Sequence, residues 1–124
     1  MAFADEMLGI SESTAAALGG QYVALTATGS TISNSTPVTA SMSVVAGADG
    51  SKGVILPQGL PGDECWIFNN SGSTLKVWPG NSSTAIAVAG TGLGSGGAAF
   101  SQLTYKTTVY KMVTTTQWLA CTSA

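Results

Sequence analysis

Histidine and arginine are missing from this sequence altogether, and charge of either sign is scarce: 8% of the 124 residues are charged, four of them lysines and six of them acids, for a net charge of −2. An ordinary domain carries about 25% charged residues. Each shortage closes a route to function. Without histidine, no Ser–His or Cys–His nucleophile pair can form. The usual ligands of a transition-metal site are largely gone too. Lys52, Lys76, Lys106 and Lys111 are scattered, whereas phosphate neutralisation needs clustered cations, so no nucleic-acid partner is expected. The acids fall as Asp5-Glu6, Glu12, Asp49 and Asp63-Glu64. Neighbours on a strand point to opposite faces, which makes Asp63-Glu64 a poor pair for glycoside hydrolysis. Gly92-Leu93-Gly94-Ser95-Gly96-Gly97 lacks the Lys and the following helix of a phosphate loop and reads as a hairpin loop. The expectation is a protein that is not an enzyme, with no catalytic residue, no cofactor and no metal.

Cysteine is also sparse. Cys65 and Cys121 stand 56 positions apart, each in an apolar stretch. That spacing is no metal signature. Two buried thiols are the plain reading; a cross-strand disulfide is the alternative, against which synthesis in the cytoplasm argues. No apolar run reaches the 18 or so residues of a membrane span, and residues 1–20 show no basic region followed by a continuous apolar one. The chain is therefore expected to fold in the cytoplasm, without a membrane partner.

What is present is 44% hydrophobic residues in a background of Ser, Thr, Gly and Asn. A chain of this length buries roughly two-thirds of its unfolded surface, enough for one core. A charge-poor hydroxyl surface can hydrogen-bond across a contact without burying ions, which is the expensive case.

Residues 1–20 read as an N-terminal arm, extended or a short helix. Phe3, Met7, Leu8 and Ile10 give it an apolar stripe, and Gly19-Gly20 ends it. Residues 21–124 read as one β domain. Tyr22 to Thr28 and Val38 to Val45 are Thr/Val-rich strands. Asp49-Gly50 is a turn. Gly53 to Leu56 is an apolar strand stopped by Pro57. Asp63 to Asn69 and Thr74 to Trp78 read as a hairpin around Asn70-Ser71-Gly72-Ser73. Ser82 to Val88 is a weaker strand, and Ala98 to Tyr105, Thr107 to Thr114 and Gln117 to Thr122 suggest a closing meander. No internal repeat stands out.

The expected fold is all-β: a small β-sandwich or jelly-roll-like barrel of about eight strands behind an N-terminal arm. Its core is expected from Val54, Leu56, Ile67, Leu75, Val77, Ile86, Phe100, Leu103, Val109, Val113 and Leu119. Trp66 and Trp118 read as core residues. Trp78, between Lys76 and Pro79, is the candidate for an exposed interface anchor or sugar platform.

Turn punctuation between Gly53 and Trp118 has a familiar form. Leu56-Pro57, Gly62, Asn69-Asn70, Gly72, Trp78-Pro79 and Gln117-Trp118-Leu119-Ala120 follow one another in an order that resembles small capsid decoration (cement) proteins of tailed bacteriophages. The resemblance covers about half the chain. It implies a virion protein on the capsid surface, bound as a homotrimer, whose partners are the major capsid protein and further copies of itself. Related β modules occur in head fibres and tail adhesins, so a receptor-binding or carbohydrate-binding module is the alternative. Phe3, Met7, Leu8, Ile10 and Trp78 are the expected partner contacts.

Overall fold

The computed structural model describes residues 22–88 and 96–123. Ten strands run through them: β1 Tyr22–Thr26, β2 Thr36–Pro37, β3 Met42–Ala46, β4 Gly53–Ile55, β5 Glu64–Asn69, β6 Leu75–Trp78, β7 Ala85–Val88, β8 Phe100–Gln102, β9 Thr107–Thr114 and β10 Gln117–Thr122. The described residues contain no helix, and the all-β class expected from the Val/Thr texture is what the structure has. A six-stranded sheet has the order β1-β3-β5-β9-β10-β7 and a four-stranded sheet the order β2-β4-β6-β8.

The first six strands alternate between the sheets as the chain coils. β1, β3 and β5 pair in parallel on one side, and β2, β4 and β6 pair in parallel on the other. Parallel neighbours need a crossover of a dozen or more residues, usually a helix; here a strand of the opposite sheet serves. Tyr22 lies beside Met42, and Met42 beside Trp66. Thr36 lies beside Val54, and Gly53 beside Lys76. The coil therefore repeats in space with steps of 20 and 24 positions on one side and 18 and 23 on the other. Unequal steps leave no fixed period in the sequence. Antiparallel strands then close the coil: β9 pairs with β5, and β8 with β6.

This topology corrects the expected hairpin. β5 and β6 lie in different sheets, because both edges of β5 are taken by β3 and β9. The turn between them is also committed elsewhere. Asn70 N–H donates to Val45 O at 2.8 Å, and Ser71 Oγ accepts the Ala48 N–H at 3.1 Å. The meander is corrected in the same way: β9 and β10 form a hairpin, but β8 belongs to the other sheet. Asp49-Gly50 does turn the chain. Gly50 has φ +95°, a left-handed conformation open to glycine, and Asp49 Oδ1 accepts the N–H groups of Ser51 and Lys52, each at 3.0 Å. Gly53 answers a close approach: a Cβ there would sit 2.4 Å from the Lys76 carbonyl oxygen of neighbouring β6.

Both sheets feed one core. Val54, Leu56, Leu75 and Val77 enter from the smaller side, and Val45, Ile67, Tyr110, Met112, Trp118 and Ala120 from the larger. Six expected core residues, Val54, Leu56, Ile67, Leu75, Val77 and Ile86, are buried. The others are corrected. Leu103 is 58% exposed, Val113 is 46% exposed, and Phe100, Val109 and Leu119 are half-buried. Strand alternation on β9 was legible, but the buried set is Thr108, Tyr110 and Met112. The inward polar groups are satisfied there: Thr108 Oγ1 bonds Thr122 Oγ1 at 3.0 Å, and Tyr110 Oη donates to Gln102 Oε1 at 2.8 Å. On β10 the bulk of Trp118 takes the inward position and leaves Leu119 on the other face.

A polar clamp ties the sheets together. Buried Gln102, on β8, donates through Nε2 to the carbonyls of Ile67 and Lys106, each at 2.8 Å. Buried Asn69, at the end of β5, donates through Nδ2 to Ser73 O at 2.9 Å and to Gln102 O at 3.1 Å. Asn69 of the Asn-Asn motif thus has a side-chain role in joining β5 to β8, beyond shaping the backbone.

Candidate docking face

With Cys65, Ile67, Thr108, Tyr110 and Met112 turned inward, alternation sends the intervening residues to the outer face of the six-stranded sheet. Met42 and Val44 of β3 stand beside Trp66 and Phe68 of β5. Trp66 stands beside Val109 of β9, and Phe68 beside Thr107. Val109 is followed across the sheet by Cys121, and Lys111 by Leu119, both on β10. Between the two rows lies a shallow groove of about 280 Å³, lined by Met42, Ser43, Val44, Trp66, Phe68 and Thr107. Met42 is 41% exposed and Trp66 43%. Scattered exposed apolar side chains are normal, but contiguous ones mark contact surfaces.

Glu64 sets the position of the Trp66 ring. Trp66 Nε1–H donates to Glu64 Oε1 at 2.6 Å, and Glu64 Oε2 lies 3.6 Å from Lys111 Nζ. Such an exposed ion pair contributes little stability, about 0–1 kcal/mol; its effect is to hold an indole flat-sided on the surface beside a cation.

The sequence-predicted contact residues fare differently. Phe3, Met7, Leu8 and Ile10 lie outside the described residues, as does most of the 92–97 glycine loop. Trp78 belongs to β6, in the other sheet, and is half-buried with its indole nitrogen enclosed. It does not join the groove. Trp66, expected in the core, is the exposed tryptophan instead. Its signal was present in the sequence: Trp66 and Phe68 alternate with Cys65 and Ile67, and only one of those pairs can face inward.

A second depression, of about 360 Å³, is lined by Val38, Thr39, Ala40, Ser41, Pro57, Asp63, Glu64 and Cys65. Its acids are engaged. Asp63 Oδ2 accepts the Leu60 N–H at 2.8 Å, and Glu64 holds Trp66. Burial, with Asp63 and Glu64 nearby, pushes the Cys65 thiol from 9.0 up to about 11, so at neutral pH it is protonated and a weak nucleophile. Among the described residues no three His, Cys, Asp or Glu side chains gather closely enough to hold a metal ion.

Both cysteines are free, but only Cys65 is buried; Cys121 is exposed, which corrects the expectation of two buried thiols. Ellman's reagent is expected to modify Cys121 alone in the folded protein and both thiols in denaturant. Rapid modification of both without denaturant would contradict the burial of Cys65.

Ionisation sets the pH limits of stability. Cys65 and Tyr110 hold their protons more tightly folded than unfolded, chiefly through burial, and Tyr110 is raised well above 10.0. A group with a raised folded pKa stabilises fully below its unfolded pKa and loses that contribution as pH climbs. The urea midpoint is expected to decline from pH 9 upward, with Tyr110 adding to the fall above 10; Cys65→Ala should flatten the first part. Asp49 behaves oppositely. Hydrogen bonds from Ser51 and Lys52 lower its carboxyl from 3.8 to about 2, so its contribution is present above about pH 4 and disappears toward pH 2.

No family model, curated protein or solved structure matches the chain. The functional reading therefore rests on the site itself and on the turn-motif resemblance.

Proposed function

We propose that this chain is a structural virion protein, a decoration or cement protein that binds the outside of a phage capsid and bridges major capsid subunits. The observation that carries this reading is the apolar outer face of the six-stranded sheet, with Met42, Trp66 and Val113 each more than 40% exposed. Apolar residues with a central aromatic anchor are what a protein contact uses. The mechanism is adhesion. Modest contacts repeated over a symmetric shell add through multivalency, and a homotrimer would also cover edge strands that otherwise invite aggregation.

Undecorated heads of the phage that encodes the chain provide the test. Saturable co-sedimentation with symmetry-matched density on the shell is the expected result. Full-length Trp66→Asp should lose at least about tenfold in affinity, the effect of ~1.4 kcal/mol, because it removes a surface anchor without entering the core. Absence of saturable binding would overturn the proposal.

A second reading, a carbohydrate-binding module of a fibre or tail, is favoured by one observation: the Trp66 ring lies beside the Glu64 carboxylate, an apolar platform next to a hydrogen-bond acceptor for hydroxyls. Glycan-array binding that disappears in Trp66→Ala, together with no binding to heads, would support it over the first.

A further inference from the structure

We infer that residues 1–12 of this chain lie back across the outer face of its own six-stranded sheet, with Phe3, Met7, Leu8 and Ile10 over the Met42–Trp66 groove, so that the free protein has its docking face covered. Calling it a docking face rests on the function proposed above; the intramolecular contact does not.

Three observations converge on this occupant. The first is where the chain enters the sheet. β1 begins at Tyr22, beside Met42, which is beside Trp66. Because these strands are parallel, the chain preceding Tyr22 joins the sheet at the end where Glu64 and Lys111 stand beside each other on β5 and β9. The second is reach. Twelve positions separate Ile10 from Tyr22, and even at the 1.5 Å rise of a helix they span about 18 Å. Three strand spacings, from β1 through β3 and β5 to β9, amount to about 14 Å. The third is charge. Residues 1–12 hold three of the six acids and none of the four lysines. Lys111 stands on the outer face with its side chain 53% exposed. An apolar segment interspersed with acids therefore begins next to an apolar groove flanked by a cation.

The choice of the chain's own segment over that of a second copy follows from tethering. A short linker places a segment at an effective concentration of about millimolar, above that of free copies in dilute solution.

The test uses the full-length chain without any shell, so its failure is distinct from a failure to bind heads. Phe3, Met7, Leu8 and Ile10 are all replaced by Ser, and the indole N–H and methionine methyl resonances are compared with the unsubstituted chain. The Trp66 indole and Met42 methyl signals are expected to shift, and acrylamide quenching of Trp66 to rise, while the Trp78 and Trp118 indoles stay in place as a report on the fold. Unchanged Trp66 and Met42 signals would overturn the inference. Ala4→Cys in a Cys121→Ser background, labelled with a nitroxide, gives an independent reading in a chain that keeps all four apolar residues. Broadening of the Met42, Trp66 and Lys111 amides at every concentration supports the contact. Broadening absent, or present only as concentration rises, overturns it, the latter assigning the segment to a second copy.

Discussion

Trp118→Ala is expected to remove a large part of the stability of this domain. Trp118 is 0% exposed and stands between Met112 of β9 and Ile86 of β7. Its ring also lies close to Gly59, where an added Cβ would be 3.3 Å from it. Truncating a buried Trp to Ala costs about 3–5 kcal/mol through lost burial and the cavity left behind. A domain of this size has about 5–15 kcal/mol in total. The melting temperature should fall by on the order of 10 °C or more, measured by circular dichroism. Trp66→Ala is the matched control on the same sheet. Because Trp66 faces outward, it should cost under about 1 kcal/mol, and equal losses for the two would mean that the inward and outward faces are reversed.

Gln102→Leu is the second substitution with a large expected effect, and its loss comes from polar groups. Leu keeps much of the volume and cannot replace the hydrogen bonds. The carbonyls of Ile67 and Lys106 lose their side-chain donor, and Tyr110 Oη loses its acceptor. A buried polar group left without a partner costs about 1–3 kcal/mol, so the sum is on the order of 3–6 kcal/mol. Tyr110→Phe removes one member of the same network. The double variant should lose less than the sum of the two single ones, because their shared hydrogen bond is lost only once. Additive urea-denaturation free energies would show that the Tyr110–Gln102 bond does not couple them.

The clamp formed by Gln102 also marks the limit of what the sequence shows. Strand positions were legible wherever alternation and turn residues agreed: Glu64–Asn69, Leu75–Trp78 and Gln117–Thr122 lie where the apolar pattern puts them. Pairing was not legible. Asn70 to Ser73 has good turn chemistry, and a hairpin is the local inference. The edges of β5 were instead taken by β3, more than twenty positions earlier, and by β9, some forty later. Facing was only partly legible. On β9, Val109 and Val113 look like core by composition, but Tyr110 and Met112 are buried, because Tyr110 has a polar partner in a different sheet. The candidate site was missed for the same reason: Trp66 is hydrophobic enough for the core, and only its phase relative to Ile67 puts it outside.

The unequal turns of the coil have a consequence for threading. In a solenoid of identical rungs, a strand can slip by one whole rung and still find equivalent neighbours. Here the steps are 20 and 24 positions on one wall and 18 and 23 on the other. A one-turn slip would bring non-matching side chains opposite each other: Asn69, which now lies beside Val45 and reaches Ser73 and Gln102, would leave its partners behind. The irregularity that hides the repeat from a reader of the sequence thus leaves the folding chain a single way to wind.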